Sequence, residues 1–274
     1  MKILILGAKG MLGHDLQAEF EKDHQVTGWG IDEIDITKEE EVNKKIVQLK
    51  PNLVINAAAF TDVDGCEEKK DLCMKVNGQA VGFIAQACKK CNAVLVHYST
   101  DYVFDGQNKE GYKEDAKLDP INLYGQSKAL GEEEIQKNTT KYYLLRTSWL
   151  YGKHGKNFVD TMLNLAKERD KIKVVNDQFG KPTYTKDLAK RTKEIIEQKR
   201  DFGIYHVTNE GITSWYEFTK KIFEIAGINI EVKPQTTEQF PRPAKRPKYS
   251  ALINTKLPKM RRWEEVLKEY LTTN

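Results

Sequence analysis

Gly7-Ala8-Lys9-Gly10-Met11-Leu12-Gly13 is the stretch of sequence that decides the fold. It follows a short apolar segment, Lys2 to Leu6, and opens an amphipathic stretch at about residues 11 to 21. Glycines at this spacing permit a tight turn, let the backbone approach a diphosphate and allow the helix to pack closely on the strand. The stretch therefore predicts a dinucleotide site, with the phosphates at the helix N-terminus. The residues assigned to it are Gly7, Gly10, Met11, Leu12 and Gly13.

Short apolar runs alternate with amphipathic stretches through the first half of the chain, in the order βαβαβαβαβ. Strands are predicted at Lys2 to Leu6, Gln25 to Trp29, Leu53 to Asn56, Ala93 to Ser99 and Tyr142 to Thr147, and helices at about 11 to 21, 38 to 49, 71 to 90 and 123 to 137. This alternation is typical of a parallel sheet with helices on both faces. We therefore predict an α/β fold with a Rossmann-type doubly wound parallel sheet and a smaller C-terminal α/β substrate lobe.

The regularity weakens after Trp149. Helices are predicted near 156 to 168, 185 to 198, 214 to 226 and 262 to 271, and strands at Lys173 to Val175 and Ile204 to Val207. Prolines at 234, 241, 243 and 247 exclude a long helix there and indicate an ordered crossing loop or a lid. We expect residues 1–150 to form the dinucleotide-binding domain, with 174–200 returning to it, and 151–173 plus 201–274 to form the substrate lobe.

Composition argues against several classes of partner and compartment. The net charge is only +4 although charged residues make up 31%, so charge gives no case for nucleic acid. The first apolar run ends at Gly7, too early for a secretory or membrane segment, so we expect a cytoplasmic protein with no membrane partner. Four cysteines are too few for a disulfide framework, and reduced thiols are favoured over a metal site at the Cys88 and Cys91 pair.

The end of the second predicted strand leaves the cofactor open. An acidic residue at this point holds the ribose diol of NAD, whereas a nearby Arg favours the phosphate of NADP. Gly30 and Ile31 occupy the expected positions, so neither signal is present, although Asp32 or Asp35 could replace the acid. Asp35 and Ile36 are expected along the adenine. NADPH and NADH both remain candidates.

Tyr124 and Lys128 stand four residues apart at the start of a predicted helix and so share one face. A neighbouring ammonium stabilises a phenolate and brings a tyrosine towards useful acid–base strength. Thr100 ends the fourth predicted strand, and ligands of open α/β sheets lie beyond such strand ends. The three side chains therefore predict a site that protonates a carbonyl while a nicotinamide supplies hydride. The alternative is a surface Tyr–Lys pair and a turn-capping Thr, which requires three independent elements to coincide.

Further segments make the sequence resemble the dTDP-4-dehydrorhamnose reductases of the extended short-chain dehydrogenase/reductase family. The similar segments, which span nearly the whole chain, are Gly7 to Gly13, Asn56 to Asp64, His97 to Gly106, Tyr124 to Lys128, Arg146 to Gly152, Asn176 to Thr183 and Arg246-Pro247. The resemblance implies hydride transfer from NAD(P)H to the C4 keto group of dTDP-4-dehydro-L-rhamnose, which gives dTDP-L-rhamnose.

The resemblance also implies roles for individual residues. It makes Thr100, Tyr124 and Lys128 the catalytic trio, with Tyr124 and Lys128 also contacting the cofactor. Further cofactor-binding residues are Ala57, Ala58, Ala59 and Asn77, and the substrate-binding residues are Thr61, Asp62, Val63, Thr100, Asp101, Tyr102, Trp149 and Arg246. For Trp149, a buried core tryptophan is an alternative. Arg246 is expected to meet the diphosphate, whereas Lys245 and Lys248 fit a solvated basic loop equally well.

Two rival functions come with the same fold. The non-catalytic subunit of methionine adenosyltransferase resembles these reductases, and it would bind a dinucleotide and a partner protein without turnover. A sugar-nucleotide epimerase is the second rival. The full Thr100, Tyr124 and Lys128 set argues against a pure binding module. Tyr102 stands where the related 4,6-dehydratases carry a Glu after their Thr-Asp, which favours net reduction over elimination.

A metal is not expected, although some members of the family dimerise through Mg2+ held by acidic side chains. Asp15 lies near one such position, but Lys186-Asp187 does not clearly match another. The tail from Leu271 to Asn274 has no carboxylate side chain. Solvated acids are therefore the preferred interpretation, and a monomer and a homodimer both remain open.

Overall fold

The structure is a computed structural model that describes residues 1–272. Thr273 and Asn274, which belong to the predicted lobe and to the tail considered for Mg2+, lie outside the described residues. Within residues 1–272, no helix combines the length and the apolar character needed to cross a membrane.

Six parallel strands form the main sheet, in the spatial order β10-β5-β4-β3-β1-β2. They are β1 (Lys2–Leu6), β2 (Gln25–Trp29), β3 (Leu53–Asn56), β4 (Val94–Thr100), β5 (Tyr142–Thr147) and β10 (Gly203–His206). The helices around this sheet are α1 (Met11–Phe20), α2 (Glu39–Leu49), α5 (Ala80–Lys90), α6 (Leu123–Asn138) and α8 (Thr185–Glu197). The predicted Rossmann-type α/β fold is confirmed.

Alternation of side chains along the strands builds one apolar layer on each face of the sheet. Ile3 and Ile5 point into a cluster that includes apolar residues of α1 and α8. Leu4 and Leu6 point the other way, into a cluster with residues of α2, α5 and α6. Since all four side chains are fully buried, the first strand is fixed in register, and the turn that follows it is fixed with it.

Strand β10 corrects the predicted domain boundary. We expected residues 201–274 in the substrate lobe, but Gly203–His206 pairs with Tyr143–Arg146 and extends the main sheet. Residues 174 and 175 were expected to return to the first domain, yet they end a strand, Lys171–Val175, which pairs with Glu231–Gln235 instead. Short apolar strands carry no information about their partners, so the sequence alone could not place them.

The smaller lobe packs three helices around paired short strands. Its strands are β6 (Leu150–Tyr151), β7 (Lys171–Val175), β8 (Phe179–Gly180), β9 (Thr183–Tyr184), β11 (Thr213–Ser214) and β12 (Glu231–Gln235), and its helices are α7 (Phe158–Glu168), α9 (Trp215–Ala226) and α10 (Trp263–Thr272). Aromatic side chains dominate its core, among them Tyr151, Phe218, Trp263 and Tyr270. Pro234 is tolerated within β12 because that strand pairs only through its β7 edge.

The helix predicted at 71 to 90 is interrupted. The chain forms two short helices, α3 (Val63–Glu68) and α4 (Lys70–Met74), then a π-helical turn at Lys75–Gln79, before α5 begins. Close packing explains the position of this turn, because a Cβ on Gly131 of α6 would lie 2.4 Å from the Asn77 carbonyl oxygen. The π turn thus lies directly against the helix that carries Tyr124 and Lys128.

Candidate active site

The glycine turn forms the floor of the site. Gly7 has φ +76°, and a Cβ there would lie 2.6 Å from the Ala58 nitrogen. A Cβ on Gly13 would lie 2.2 Å from the Gly7 carbonyl oxygen, so α1 meets the turn without space for a side chain. Gly10 is the N-cap of α1. Among residues 1–272, no side chain forms a capping hydrogen bond there, so the first N–H groups of the helix are available to an anion. These features fit a dinucleotide diphosphate.

The acidic residues that follow β2 are paired with a lysine. The Lys9 ammonium lies 2.7 Å from Asp32 and 2.9 Å from Glu33, and Glu33 also accepts from the Gly30 N–H. Asp35 accepts hydrogen bonds from the backbone and the hydroxyl of Thr37. Sequence reasoning did not single out Lys9, which lies within the glycine turn and pairs with both acids.

Thr100 and Asp101 mark the end of β4. The Thr100 hydroxyl donates to Asp101 Oδ1 at 3.0 Å and accepts from the Tyr102 N–H at 3.2 Å, which starts a 3₁₀ turn at Asp101–Val103. Burial raises the pKa of Asp101 to about 7, although hydrogen bonds from Ser250 and Thr100 favour its charged form. The Asp101 carboxyl, beside the predicted catalytic hydroxyls, therefore changes its charge near neutral pH.

Tyr124 lies in the first turn of α6, where Asn122 fixes the start of the helix. Asn122 Oδ1 accepts from the Gly125 N–H at 2.8 Å, and its Nδ2 donates to the Lys245 carbonyl at 2.7 Å. Burial raises the pKa of Tyr124, the Asp101 charge adds to the rise, and a hydrogen bond with Thr100 opposes it. The phenol therefore stays protonated and faces Thr100, as a proton donor requires.

Lys128 follows one helical turn later and is almost completely buried. Its side-chain nitrogen donates to the Tyr98 carbonyl at 2.6 Å and lies 3.1 Å from His97 Nε2. Burial lowers the pKa of Lys128 to about 8, against the nearby charge of Glu132. A lysine whose charge changes close to neutral pH is typical of active sites.

A single cleft of about 470 Å³ brings most of the predicted residues together. Its lining includes the predicted residues Gly10, Met11, Leu12, Gly13, Ala57, Ala59, Thr61, Val63, Thr100, Asp101, Tyr102, Tyr124, Lys128 and Trp149. The other predicted residues, outside this lining, are Gly7, Asp35, Ile36, Ala58, Asp62, Asn77 and Arg246. The glycine turn and the Thr-Tyr-Lys set therefore open onto one space.

Two residues outside the lining hold the loop after β3. Asn77 is buried in the π turn, accepts from the Phe60 N–H at 2.8 Å and donates to the Phe60 carbonyl at 2.9 Å. It also donates to Ser127 on α6. Asp62 caps α3 by accepting from the Gly65 N–H. Asn77 thereby connects the loop to α6, and Asp62 fixes the start of α3.

Trp149 and Trp215 stack face to face at the far wall, with ring centroids 3.5 Å apart and planes 7° apart. Trp149 adopts φ +48°, which is unusual for a bulky residue and turns its ring into the cleft. A side chain on Gly180 would collide with this ring, since a Cβ would lie 2.5 Å from it. Trp149 is thus partly exposed in the wall rather than buried in the core.

A second cavity of about 450 Å³ adjoins the cleft, and Tyr102 and Trp215 line both. Arg242 and Arg246 lie in its wall, with Arg169, Lys173 and Phe240. Asp64 fixes the two guanidinium groups, pairing with Arg246 at 3.0 Å and with Arg242 at closer range. The cavity therefore offers fixed cations and aromatic surface to an anion that extends from the cleft.

The profile of the RmlD substrate binding domain family matches residues 1–274. The chain belongs to the RmlD substrate binding domain family. It is 41% identical to a dTDP-4-dehydrorhamnose reductase of Aggregatibacter actinomycetemcomitans over 93% of this chain and 92% of that protein. It is 40% identical to the spore coat polysaccharide biosynthesis protein SpsK of Bacillus subtilis over 98% and 96% of the two chains.

Solved structures of RmlD-type reductases superpose on the whole chain. A dTDP-4-dehydrorhamnose reductase from Clostridium acetobutylicum gives a TM-score of 0.97 at 46% identity, covering 100% of this chain and 99% of that one. The Bacillus anthracis enzyme in complex with NADP gives 0.97 at 40% identity, with the same coverage. A Thermus thermophilus UDP-glucose 4-epimerase, 19% identical with a TM-score of 0.79, shares the fold. The resemblance to dTDP-4-dehydrorhamnose reductases is confirmed.

Sequence reasoning missed several residues that line this RmlD-type site. They are Tyr98, Ser99, Thr147, Ser148, Leu150, Lys156 and Trp215. Trp215 is the most distant in sequence, and nothing in its own segment relates it to Trp149. Thr147 and Ser148 carried a usable signal, because Thr147 ends β5 beside Thr100 and Ser148 follows it at the same sheet edge.

Asp187, weighed above as a metal ligand, is committed to other partners. It pairs with Arg261 and accepts from Asn209 at 2.8 Å. Within residues 1–272, no group of three or more His, Cys, Asp or Glu side chains is arranged to hold a metal ion.

Proposed function

We propose that the chain is an NAD(P)H-dependent reductase that converts dTDP-4-dehydro-L-rhamnose to dTDP-L-rhamnose. The observation that carries this proposal is the single cleft that Thr100, Tyr124 and Lys128 share with the glycine turn. Family membership and relatives named dTDP-4-dehydrorhamnose reductase support the substrate class.

The residues divide the work of reduction among them. A nicotinamide held above the glycine turn would supply the hydride for C4 of the keto sugar. Tyr124 gives its proton to the keto oxygen, and the Thr100 hydroxyl orients that oxygen. Lys128, one turn along the same helix, places positive charge near the phenolate that remains. Thr100 and Lys128 are buried, which limits the access of water to the proton transfer.

The rest of the substrate follows from the two adjoining cavities. The stacked Trp149 and Trp215 rings and Tyr102 offer apolar faces to the 6-deoxy sugar. Arg246, held by Asp64, meets the diphosphate, and the nucleoside continues into the second cavity. The predicted cofactor and substrate contacts of Gly7, Asp35, Ile36, Ala58, Asp62 and Asn77 stay predictions.

The cellular compartment follows from where the cofactor and the nucleotide sugar are made. Reduced dinucleotides and nucleotide-linked sugars are made in the cytoplasm, so we place the protein there, acting as a monomer or a homodimer on a small-molecule substrate. Neither a nucleic acid nor a membrane is part of the proposed reaction.

A panel of nucleotide-linked keto sugars, each offered with NADH and with NADPH, tests the proposal. We expect oxidation of the dinucleotide that depends on dTDP-4-dehydro-L-rhamnose and yields one reduced sugar per dinucleotide. Conversion of the sugar with no net consumption of dinucleotide would indicate an epimerase. Tight dinucleotide binding with no conversion of any sugar would indicate a regulatory subunit.

A further inference from the structure

Three buried side chains form a hydrogen-bonded row behind the cleft. Asn56 ends β3, His97 lies beside it on β4, and Lys128 reaches down from α6. Asn56 Nδ2 lies 3.1 Å from His97 Nδ1, and His97 Nε2 lies 3.1 Å from the Lys128 nitrogen. All three are at most 2% exposed, so each polar atom depends on its neighbour in the row.

The row has a direction, and Ala58 sets it. The Ala58 N–H, which can only donate, lies 3.2 Å from Asn56 Oδ1. The amide oxygen of Asn56 therefore faces Ala58, and its NH2 group faces His97 and donates to Nδ1. A neutral imidazole that accepts at Nδ1 carries its proton on Nε2. That Nε2–H points at Lys128, which can receive it only through the lone pair of an uncharged amine.

The charged groups around Lys128 are few. Glu132 on its own helix favours the ammonium form, and the Cys73 thiol of α4 lies close enough to act in the same sense if ionised. On the β4 side it meets His97 and the Tyr98 carbonyl. Burial holds the pKa of His97 well below its usual range, so this ring stays neutral. The row therefore opposes Glu132 and adds to the effect of burial.

We propose that His97 is a positioning residue for Lys128, and that with Asn56 it favours the uncharged amine of Lys128 over the ammonium in the protein without cofactor. The inference rests on the role given to Lys128 in the proposed reduction. Charging Lys128 requires the His97 proton to move to Nδ1, and the Asn56 amide must then turn and give up Ala58. The row thus delays the charge until ligands that favour an ammonium occupy the cleft.

The tautomer of His97 tests the direction of the row without any assay of turnover. Proton-detected correlation spectra of the full chain labelled with ¹⁵N-histidine resolve the two ring nitrogens, and the His97→Gln variant assigns the signal among the five histidines. We expect a neutral ring with its proton on Nε2 near pH 8. A proton on Nδ1, or an imidazolium, overturns the proposal even if the chain proves to be the expected reductase.

Asn56→Asp tests the consequence for catalysis. A carboxylate still accepts from Ala58 but forces His97 to donate from Nδ1, so Nε2 becomes an acceptor for a Lys128 ammonium. We expect the basic limb of the kcat/KM profile to move up by about one pH unit or more, since the reversed row accepts from a Lys128 ammonium. The new charge at residue 56 acts in the same direction, so the shift supports the proposal only if the His97 proton of this variant is found on Nδ1. An unmoved limb in a folded variant contradicts the proposal.

Thr192→Val is the matched control. The Thr192 hydroxyl bonds the Tyr98 phenol at 2.9 Å, so this variant also removes a buried hydrogen bond next to β4 but leaves the row intact. We expect its basic limb to coincide with that of the parent protein. A shift as large as that of Asn56→Asp would mean that strand packing, rather than the row, sets the profile, and it would overturn the proposal.

Discussion

Glu132 on α6 and Arg146 on β5 form a fully buried ion pair. The guanidinium donates to both carboxylate oxygens at 2.7 to 3.2 Å, and the Ser99 hydroxyl donates to the same carboxylate at 2.6 Å. The pair ties the helix that bears Tyr124 and Lys128 to two strands of the sheet.

Glu132→Ala should therefore destabilise the fold severely. Removing one member of a buried pair leaves an uncompensated charge, which costs about 3–5 kcal/mol. Urea denaturation measures this loss of unfolding free energy. The neighbouring Glu133→Ala removes an exposed carboxylate from the same helix and should change the free energy of unfolding by less than about 0.5 kcal/mol. Equal losses in the two variants would contradict the assignment of the cost to the ion pair.

Tyr124→Phe should lower kcat by about two to four orders of magnitude and leave KM nearly unchanged, because the phenyl ring fills the same space without a proton. Steady-state dinucleotide oxidation measures both constants. Tyr142→Phe, on the distant end of β5, serves as the control and should behave like the parent. A near-normal kcat in Tyr124→Phe would remove this residue from the role of proton donor.

Asp101 should make stability depend on pH. Burial raises its pKa to about 7 in the folded chain, above the value of about 4 expected when unfolded. The folded protein therefore holds this proton more tightly, and the free energy of unfolding should fall as pH rises from about 4 to about 7.

Unfolding in urea at several pH values, compared between the parent and Asp101→Asn, measures this dependence. The variant should lack it, whereas the exposed Asp115→Asn should keep it. Parallel curves for the parent and Asp101→Asn would show that the carboxyl titrates normally.

Arg246→Ala should raise KM for the nucleotide sugar by about 10- to 100-fold, the worth of a charge-assisted hydrogen bond to phosphate, with a smaller effect on kcat. Lys245→Ala removes the same charge from the adjacent, exposed residue and should change KM much less. Inhibition by dTDP provides a second measure of the same contact. Equal effects of the two substitutions would indicate a diffuse basic loop.

Lys9 should influence the choice of cofactor. Its ammonium is shared by Asp32 and Glu33 at the end of β2, where the phosphate of NADP is discriminated. Asp32→Asn removes one of the two acids that pair with this cation and should lower KM for NADPH several-fold, whereas Lys9→Ala should raise it. KM for NADH should hardly change in either variant. Changes of the same size with both dinucleotides would show that Lys9 does not contact the phosphate.

The sequence was most informative where one strand and one turn determine a position. Five strands of the main sheet could be predicted almost to the residue, and apolar runs such as Leu53–Asn56 end sharply at polar or glycine residues. The convergence of Thr100 with Tyr124 also followed from local signals, since strand ends of a parallel sheet share one edge.

Features that depend on partners distant in sequence could not be predicted. Gly203–His206 gave no sign of its pairing with β5, and the π turn around Asn77 exists because of its packing on α6. The stacking of Trp215 on Trp149 joins segments 66 residues apart, by the difference of their numbers, across the smaller lobe. Each is a tertiary contact that no local pattern encodes.

Asn122 links two functions with one amide. Its oxygen sets the first turn of α6, and its nitrogen grips the Lys245 carbonyl beside Arg246. The start of the helix that carries Tyr124 is therefore hydrogen-bonded directly to the segment that carries Arg246. On the proposed function, this contact relates the group that protonates the sugar to the group that binds the diphosphate. A sugar carried on a monophosphate would reach Tyr124 but would not reach Arg246.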